Sequence, residues 1–255
     1  MKGVQEVVLT GIHLGAYGLD LVPPFPLVKL LERLEREETP RRIRLSSMEP
    51  ADFSEDLLSF LPRSTKICPH LHISIQSGDD EILQKMNREY SRCFLTDLLQ
   101  ELQQNIPMLS VGADVIAGFP GETDEQFNRS YEWIDSLPLS YLHVFPFSRR
   151  KGTPAYHFPD RVDERKIRRR AEAMRELGMK KRYAFYRRFL HQTLQVLVED
   201  RRERETGRWK GISRNYIPVF LEGQGLEDDP WMNQEWTVLA TGWTGQGVLG
   251  RIVGR

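Results

Sequence analysis

Val111-Gly-Ala-Asp-Val-Ile-Ala-Gly-Phe-Pro-Gly-Glu-Thr123 confines this chain to a small set of folds. Val111 to Ala117 is apolar and rich in β-branched residues except at Gly112 and Asp114, and is too short for an ordinary helix. Gly118, Pro120 and Gly121 break the run, and Glu122-Thr-Asp-Glu-Gln-Phe127 opens a helix. A buried strand leading through a glycine-rich turn into a helix is the βα step of an α/β fold. Its turn suits ligands, because glycines admit close approach and a helix N-terminus offers free N–H groups. A single Gly-x-x-Gly turn is weak, being as often structural as functional. Its repetition carries the weight.

Similar steps recur. Strands are predicted to begin near positions 5, 42, 71, 111 and 141, each but the last followed by a helical pattern. Leu27, Leu30, Leu31 and Leu34 stand at helical spacing, and Ser54 is placed to cap the short helix after the second strand. This alternation predicts a parallel sheet or barrel of right-handed crossovers. The strands end in Thr10-Gly-Ile-His13, Ser46-Ser-Met-Glu49, Gln76-Ser-Gly78, Gly118-Phe-Pro-Gly121 and Phe147-Ser-Arg149. Parallel strands present their carboxyl ends on one face, so these tips should converge on one site.

Single residues carry two readings each. His13 is either a loop cap or a ligand contact. Glu49 either pairs with an arginine or holds a ligand amine. His70 and His72 share one face of a strand, but with no third ligand nearby in sequence they read as a structural pair rather than a metal site. Cys68 and Cys93, the only cysteines, read as small buried residues. Two cysteines in 255 residues make no disulfide scaffold, no apolar run approaches the ~20 residues of a membrane span, and the start has no signal-peptide order. A cytoplasmic location is expected.

Formal charge is zero overall, yet Arg161 to Arg188 holds twelve Lys or Arg against four Asp or Glu. This long helical stretch has Ile167, Ala171, Met174 and Gly178 along one side and interleaves Tyr183, Phe185, Tyr186 and Phe189 with its cations. It reads either as a solvated face or as a phosphate-binding surface with base stacking. From Thr193 onward five short strands with glycine turns fit a small barrel of the oligonucleotide-binding kind. The expected organisation is 1–160 for the α/β unit, 161–190 for a basic linking helix and 191–255 for the β-barrel.

Taken together, Gln5-Glu-Val-Val-Leu-Thr-Gly-Ile-His-Leu-Gly-Ala-Tyr-Gly18, Arg42-Ile-Arg-Leu-Ser-Ser-Met-Glu-Pro50, Cys68-Pro-His-Leu-His-Ile-Ser-Ile-Gln-Ser-Gly78, Asp114-Val-Ile-Ala-Gly-Phe-Pro-Gly-Glu-Thr123 and Leu142-His-Val-Phe-Pro-Phe-Ser-Arg-Arg-Lys-Gly-Thr-Pro-Ala155 resemble the radical S-adenosylmethionine methylthiotransferases. The type that modifies N6-threonylcarbamoyladenosine beside the tRNA anticodon matches best. The tail, with Gly207, Gly211, Asn215 and Tyr216 in order, resembles the TRAM RNA-binding domain. The resemblance implies an α/β fold, a partial (β/α) barrel lacking its first strand, followed by the small all-β barrel. It implies S-adenosylmethionine and [4Fe-4S] clusters as cofactors, and the tRNA anticodon stem-loop and an electron donor as partners. His13, Glu49, Gln76, Ser77, Phe145 and Phe147 are the implied cofactor-binding residues. Arg169, Lys181, Arg182, Arg187, Arg188, Lys210, Asn215 and Tyr216 are the expected RNA contacts.

One departure stands out. The family holds its catalytic cluster in a C-x-x-x-C-x-x-C loop, and this chain has no such triplet. The family's N-terminal domain is absent too, so Met1 is expected to be a clipped or mis-assigned start and this polypeptide alone to be inactive, with no catalytic or metal-ligating residues of its own. The alternatives are a non-catalytic RNA-binding remnant, or a methylthiotransferase acting on another tRNA base or a ribosomal protein.

Overall fold

A computed structural model describes residues 3–38, 40–222 and 232–254. Met1 and residues 223–231 of the expected C-terminal barrel lie outside the described residues. Parallel strands follow in chain order as β1 (Glu6–Leu9), β2 (Arg42–Leu45), its continuation β3 (Ser47–Met48), β4 (His70–Gln76), β5 (Ser110–Ala117) and β6 (Tyr141–Pro146). β1 pairs with β2, and β3 to β6 lie side by side in that order. The connections carry α1 (Leu27–Arg36), α2 (Glu55–Phe60), α3 (Asp80–Lys85), α4 (Arg92–Asn105) and α5 (Asp124–Ser136). This is the predicted α/β alternation, with two helices between β4 and β5. Among the described residues β1 has no second neighbour, so its outer edge is open beside the half-exposed Val8.

Local sequence explains the helix starts. The Ser54 side chain accepts from Leu57 N–H, Asp79 from Ile82 N–H and Ser91 from Phe94 N–H. Thr123 and Gln126 form a reciprocal box, Thr123 Oγ1 accepting from Gln126 N–H and Gln126 Oε1 from Thr123 N–H. Side chains alternate across each strand. Leu71, Ile73 and Ile75 of β4 and Val111, Ala113 and Val115 of β5 are at most 2% exposed and join the core that α1, α2, α4 and α5 cover. His70, His72, Ser74, Gly112 and Asp114 therefore point to the other face of the sheet.

The basic stretch is one helix, α6 (Glu164–Arg187), capped by Asp163, and Ala171, Met174, Leu177 and Gly178 are its buried side. The chain then forms a closed barrel of β7 (Thr193–Arg202), β8 (Trp209–Ser213), β9 (Pro218–Leu221), β10 (Glu235–Trp243) and β11 (Val248–Gly254), ordered β10-β11-β9-β8-β7. Gly211 is required where β8 crosses β7, since a Cβ there would stand 2.6 Å from Val196 Cγ1. Phe185, Tyr186 and Phe189, for which base stacking was one of two readings, are buried in this barrel's core with Val196, Ile217 and Val238. The last turn of α6 is the barrel's apolar plug.

A charged latch joins the two parts. Arg42, fully buried, places Nη2 2.7 Å from Glu6 and Nη1 3.2 Å from Glu235. Arg44 pairs with Glu6 at 3.1 Å and donates to the Arg214 carbonyl at 3.0 Å, while Arg214 holds Glu235 through two 2.8 Å bonds. Burial raises the Glu6 carboxyl, but Arg44 and Arg42 outweigh it and hold it below the ordinary carboxylate range. Glu235 is held low in the same way, Arg214 being its strongest partner.

Cys68 is buried as expected, but Cys93 is exposed. It stands in the first turn of α4, whose core face is taken by Leu95, Leu98, Leu99 and Leu102. No helix among the described residues is long and apolar enough to cross a membrane.

Candidate active site

A ligand-sized cleft lies at the strand tips. It has a volume of about 440 Å³ and is bounded by Gly118, Pro146, Phe147, Phe158 and Ile167, with Arg149, Arg161 and Arg168 at its margin. Pockets of this size and apolar lining suit a nucleoside-sized ligand. Gly118 is at φ +79°, and a Cβ there would lie 2.5 Å from Ile167 Cγ1, so the turn needs glycine for its backbone and for contact with α6. Gly118 N–H donates to the Glu122 carboxylate at 2.8 Å, and Arg170 Nη1 meets the same group at 2.7 Å. Arg170 also reaches Asp124 at 2.6 Å. Burial raises the Glu122 carboxyl, with Arg170 and the Gly118 N–H opposing it. Arg170 thus fastens α6 across the turn, a role that neighbouring Arg168 and Arg169, both exposed, do not share.

Of the residues predicted to bind a cofactor, Phe147 lines this cleft, its ring edge-on to Phe119 at 5.2 Å. His13 Nε2 is 2.7 Å from Asp52, and Glu49 pairs with Arg88 at 2.7 Å, the arginine reading of that residue. Gln76 ends β4 at φ +65°, a left-handed conformation rare outside glycine, and Ser77 after it is buried. Phe145 is 51% exposed.

The second concentration of chemistry lies on the polar face of the sheet. His70 Nε2 is 2.8 Å and His72 Nδ1 3.1 Å from the Tyr141 hydroxyl. His72 Nε2 is 2.8 Å from Asp114 Oδ1, and His143 Nδ1 is 3.6 Å from the same oxygen. Gly112 makes this possible, because a Cβ there would collide with the Tyr141 ring. His70, His72, Tyr141 and His143 border a hollow of about 490 Å³ whose lining also includes Arg44 and Ser46, closed on the barrel side by Lys210 and Tyr216. Burial, and next Arg44, push His70 well below the usual imidazole value, so it is neutral. Burial raises Asp114, but His143 and His72 outweigh it and hold the carboxyl well below its ordinary value. Among the described residues Ser46 Oγ and His70 Nδ1 are buried without a hydrogen-bond partner. Within a short sequence window only His70 and His72 stand together. The carboxylate and the third imidazole come from β5 and β6, and strand alternation at Asp114 and His143 was the signal for them.

The expected RNA contacts divide. Arg169, Arg187 and Arg188 are exposed, and Arg188 lies over Phe185. Arg182 is half-buried, 5.9 Å from the Tyr141 ring. Two of the expected contacts are not surface groups. Lys181 is buried, its ammonium donating to the carbonyls of Asp135 and Leu137 at the end of α5. Asn215 is buried, accepting from Ser213 Oγ and donating to the Met108 carbonyl. Tyr216 stacks on His70 at 4.1 Å and sits under Arg44, and Lys210 faces the same hollow. In place of the buried aromatics, Tyr183 and the exposed Trp243 pair at 5.2 Å on the outer side of α6.

S-adenosylmethionine fits the tip cleft in size, lining and backbone approach. An iron–sulfur cluster does not fit this chain, since Cys68 is buried in the latch 3.8 Å from Glu6, Cys93 is on the far side of α4, and no third cysteine exists.

Comparison with known proteins agrees with this geometry. Residues 1–134 match the family described as the Radical SAM superfamily. The threonylcarbamoyladenosine tRNA methylthiotransferase of Bacillus subtilis is 39% identical over 224 residues, covering 87% of this chain and 49% of that protein. Its counterpart from Rickettsia prowazekii is 38% identical, covering 87% and 51%. A tRNA-2-methylthio-N(6)-dimethylallyladenosine synthase of Pelotomaculum thermopropionicum is 36% identical, covering 87% and 50%. The chain spans about half the length of the curated relatives it matches.

Proposed function

The chain belongs to the radical SAM superfamily, and from that premise we propose that it is the S-adenosylmethionine- and tRNA-binding portion of a tRNA methylthiotransferase acting on N6-threonylcarbamoyladenosine. The observation that carries the reading is the likeness to threonylcarbamoyladenosine tRNA methylthiotransferases across both the α/β unit and the following helix and barrel. When bound, S-adenosylmethionine would supply the methyl group and the radical in this chemistry, and this chain has no cysteine triplet to hold the cluster. This chain's own residues bind and orient. Gly118 and the adjoining ends of β5 and β6 offer backbone to an adenosine, and Phe147 with Phe158 closes apolar walls that keep water from it. The proposal extends to Gln76 and Ser77 at and after the end of β4, Glu49 after β3 and His13 after β1, none of which lines the cleft itself.

For RNA, the outer side of α6 offers exposed Arg169, Arg187 and Arg188 together with the Tyr183–Trp243 pair. Phosphates would meet the guanidiniums and an unpaired base would stack on Trp243. Binding of this 255-residue chain to synthetic anticodon stem-loops tests the reading. Affinity should fall with salt, with a log–log slope near about −2 to −3 for three or four phosphate contacts. Trp243→Ala should weaken binding by roughly 1–3 kcal/mol. A stem-loop carrying N6-threonylcarbamoyladenosine should bind more tightly than one carrying N6-dimethylallyladenosine. Affinity independent of salt would remove the phosphate contacts, and the reverse preference would reassign the substrate.

A further inference from the structure

We propose that His72, Asp114 and His143 form a binding site for a divalent first-row transition metal, with an open coordination position facing the hollow between the parallel sheet and the C-terminal barrel. One donor atom from each residue lies within 4.8 Å of the others. The three come from adjacent strands. β5 pairs with β4 at Gly112↔His72 and with β6 at Asp114↔His143, so the ligands are set by sheet register rather than by loops. Sites built on strands hold their geometry better than sites on loops. Two imidazoles and one carboxylate are a donor set for Zn²⁺ or Fe²⁺, and three protein ligands leave room for an outside one. His143 is 52% exposed at its side chain, so the open side meets the hollow rather than packed protein.

The surroundings support the ligands as metal sites generally require. A metal-bound imidazole is usually fixed by a hydrogen bond from its other nitrogen. With His72 bound through Nε2, its Nδ1–H donates to the Tyr141 oxygen, and the Tyr141 hydroxyl donates to His70 Nε2, over 3.1 and 2.8 Å. Gly112 leaves the space in which Tyr141 reaches both histidines. The unpartnered Ser46 Oγ lies on the same hollow, a polar group without an internal use.

A neutral His72 carries its one ring proton on Nδ1 when Nε2 holds the metal, so binding changes the tautomer, releases no proton from that ring and needs no redox change. The site stands apart from the methylthiotransferase reading, since its test involves neither RNA nor S-adenosylmethionine.

Titration of the 255-residue chain with Co²⁺, followed by visible absorption, is the experiment. One equivalent should produce a saturable d–d band of low coordination number, and Zn²⁺ should displace it. His143→Ala, a half-exposed position, should abolish the band with the circular dichroism spectrum unchanged, and Asp114→Asn should do the same. Tyr141→Phe should keep the band and weaken Co²⁺ binding roughly 10–100-fold. Cys93→Ser should bind as the unaltered chain does. Absence of a saturable band, or a band that survives His143→Ala, overturns the proposal and leaves the three residues as a hydrogen-bonded cluster.

Discussion

Arg170→Met should lower the stability of this chain by about 3–5 kcal/mol, because it leaves the Glu122 carboxylate buried without its cation. Both side chains are only 3% exposed, and their 2.7 Å contact joins α6 to the turn after β5. Asp124, the other partner of Arg170, is exposed and keeps Lys166 at 2.8 Å, so its loss adds little. The sign of the pH dependence follows. Burial already holds Glu122 above its ordinary value, and without Arg170 it moves further up. A carboxyl whose folded value lies above its unfolded one gains stability as pH falls through it. The deficit of Arg170→Met in urea unfolding should therefore be smaller at about pH 5 than at about pH 8. An equal deficit at both would mean that Glu122 never carries its charge unpaired. Since Gly118 donates to Glu122, the variant should also loosen the wall of the tip cleft.

Glu6→Gln should have an effect of similar size on the latch between the sheet and the barrel. Glu6 is the carboxylate shared by Arg42 and Arg44, which are 0% and 5% exposed. Removing its charge leaves Arg42 with Glu235 and the Ile212 carbonyl, and Arg44 with backbone carbonyls, at a cost of about 3–5 kcal/mol. Glu6 and Glu235 both have depressed folded values, so their contribution is complete above the unfolded carboxylate range and is lost as pH falls through the folded one. The unaltered chain should lose stability steeply below about pH 4.5, and Glu6→Gln should lose less over the same interval. Denaturant midpoints across that interval decide it. Parallel curves for the two proteins would remove Glu6 from the acid response.

Much of the architecture was legible because the signals were local. Alternating apolar runs marked all five segments of the parallel sheet. Ser54 and the Thr123–Gln126 spacing marked helix starts, and glycine-separated strands marked the barrel. The site was legible only as far as its backbone, in the turn Gly118–Gly121 and the strand tips. Lys181 and Arg187 look alike in sequence, yet one caps α5 and the other faces solvent. Base stacking stayed open for Phe185, Tyr186 and Phe189 because nothing near them in sequence shows the barrel that buries them. Cys93 failed for a related reason, since its helix register, and not its residue type, sets its exposure.

Sequence by itself determined the order and kind of the elements, the glycine turns, the absence of a cluster-binding cysteine triplet and the family. Each rests on period, propensity or motif within a short window. The tertiary structure alone decided which charges meet. His72 finds Asp114 across 42 residues, His70 finds Tyr141 across 71, and Arg42 finds Glu235 across 193. Ion pairs and shared protons depend on distances of a few ångströms between side chains, and strand register and barrel docking set those distances only after the chain has folded.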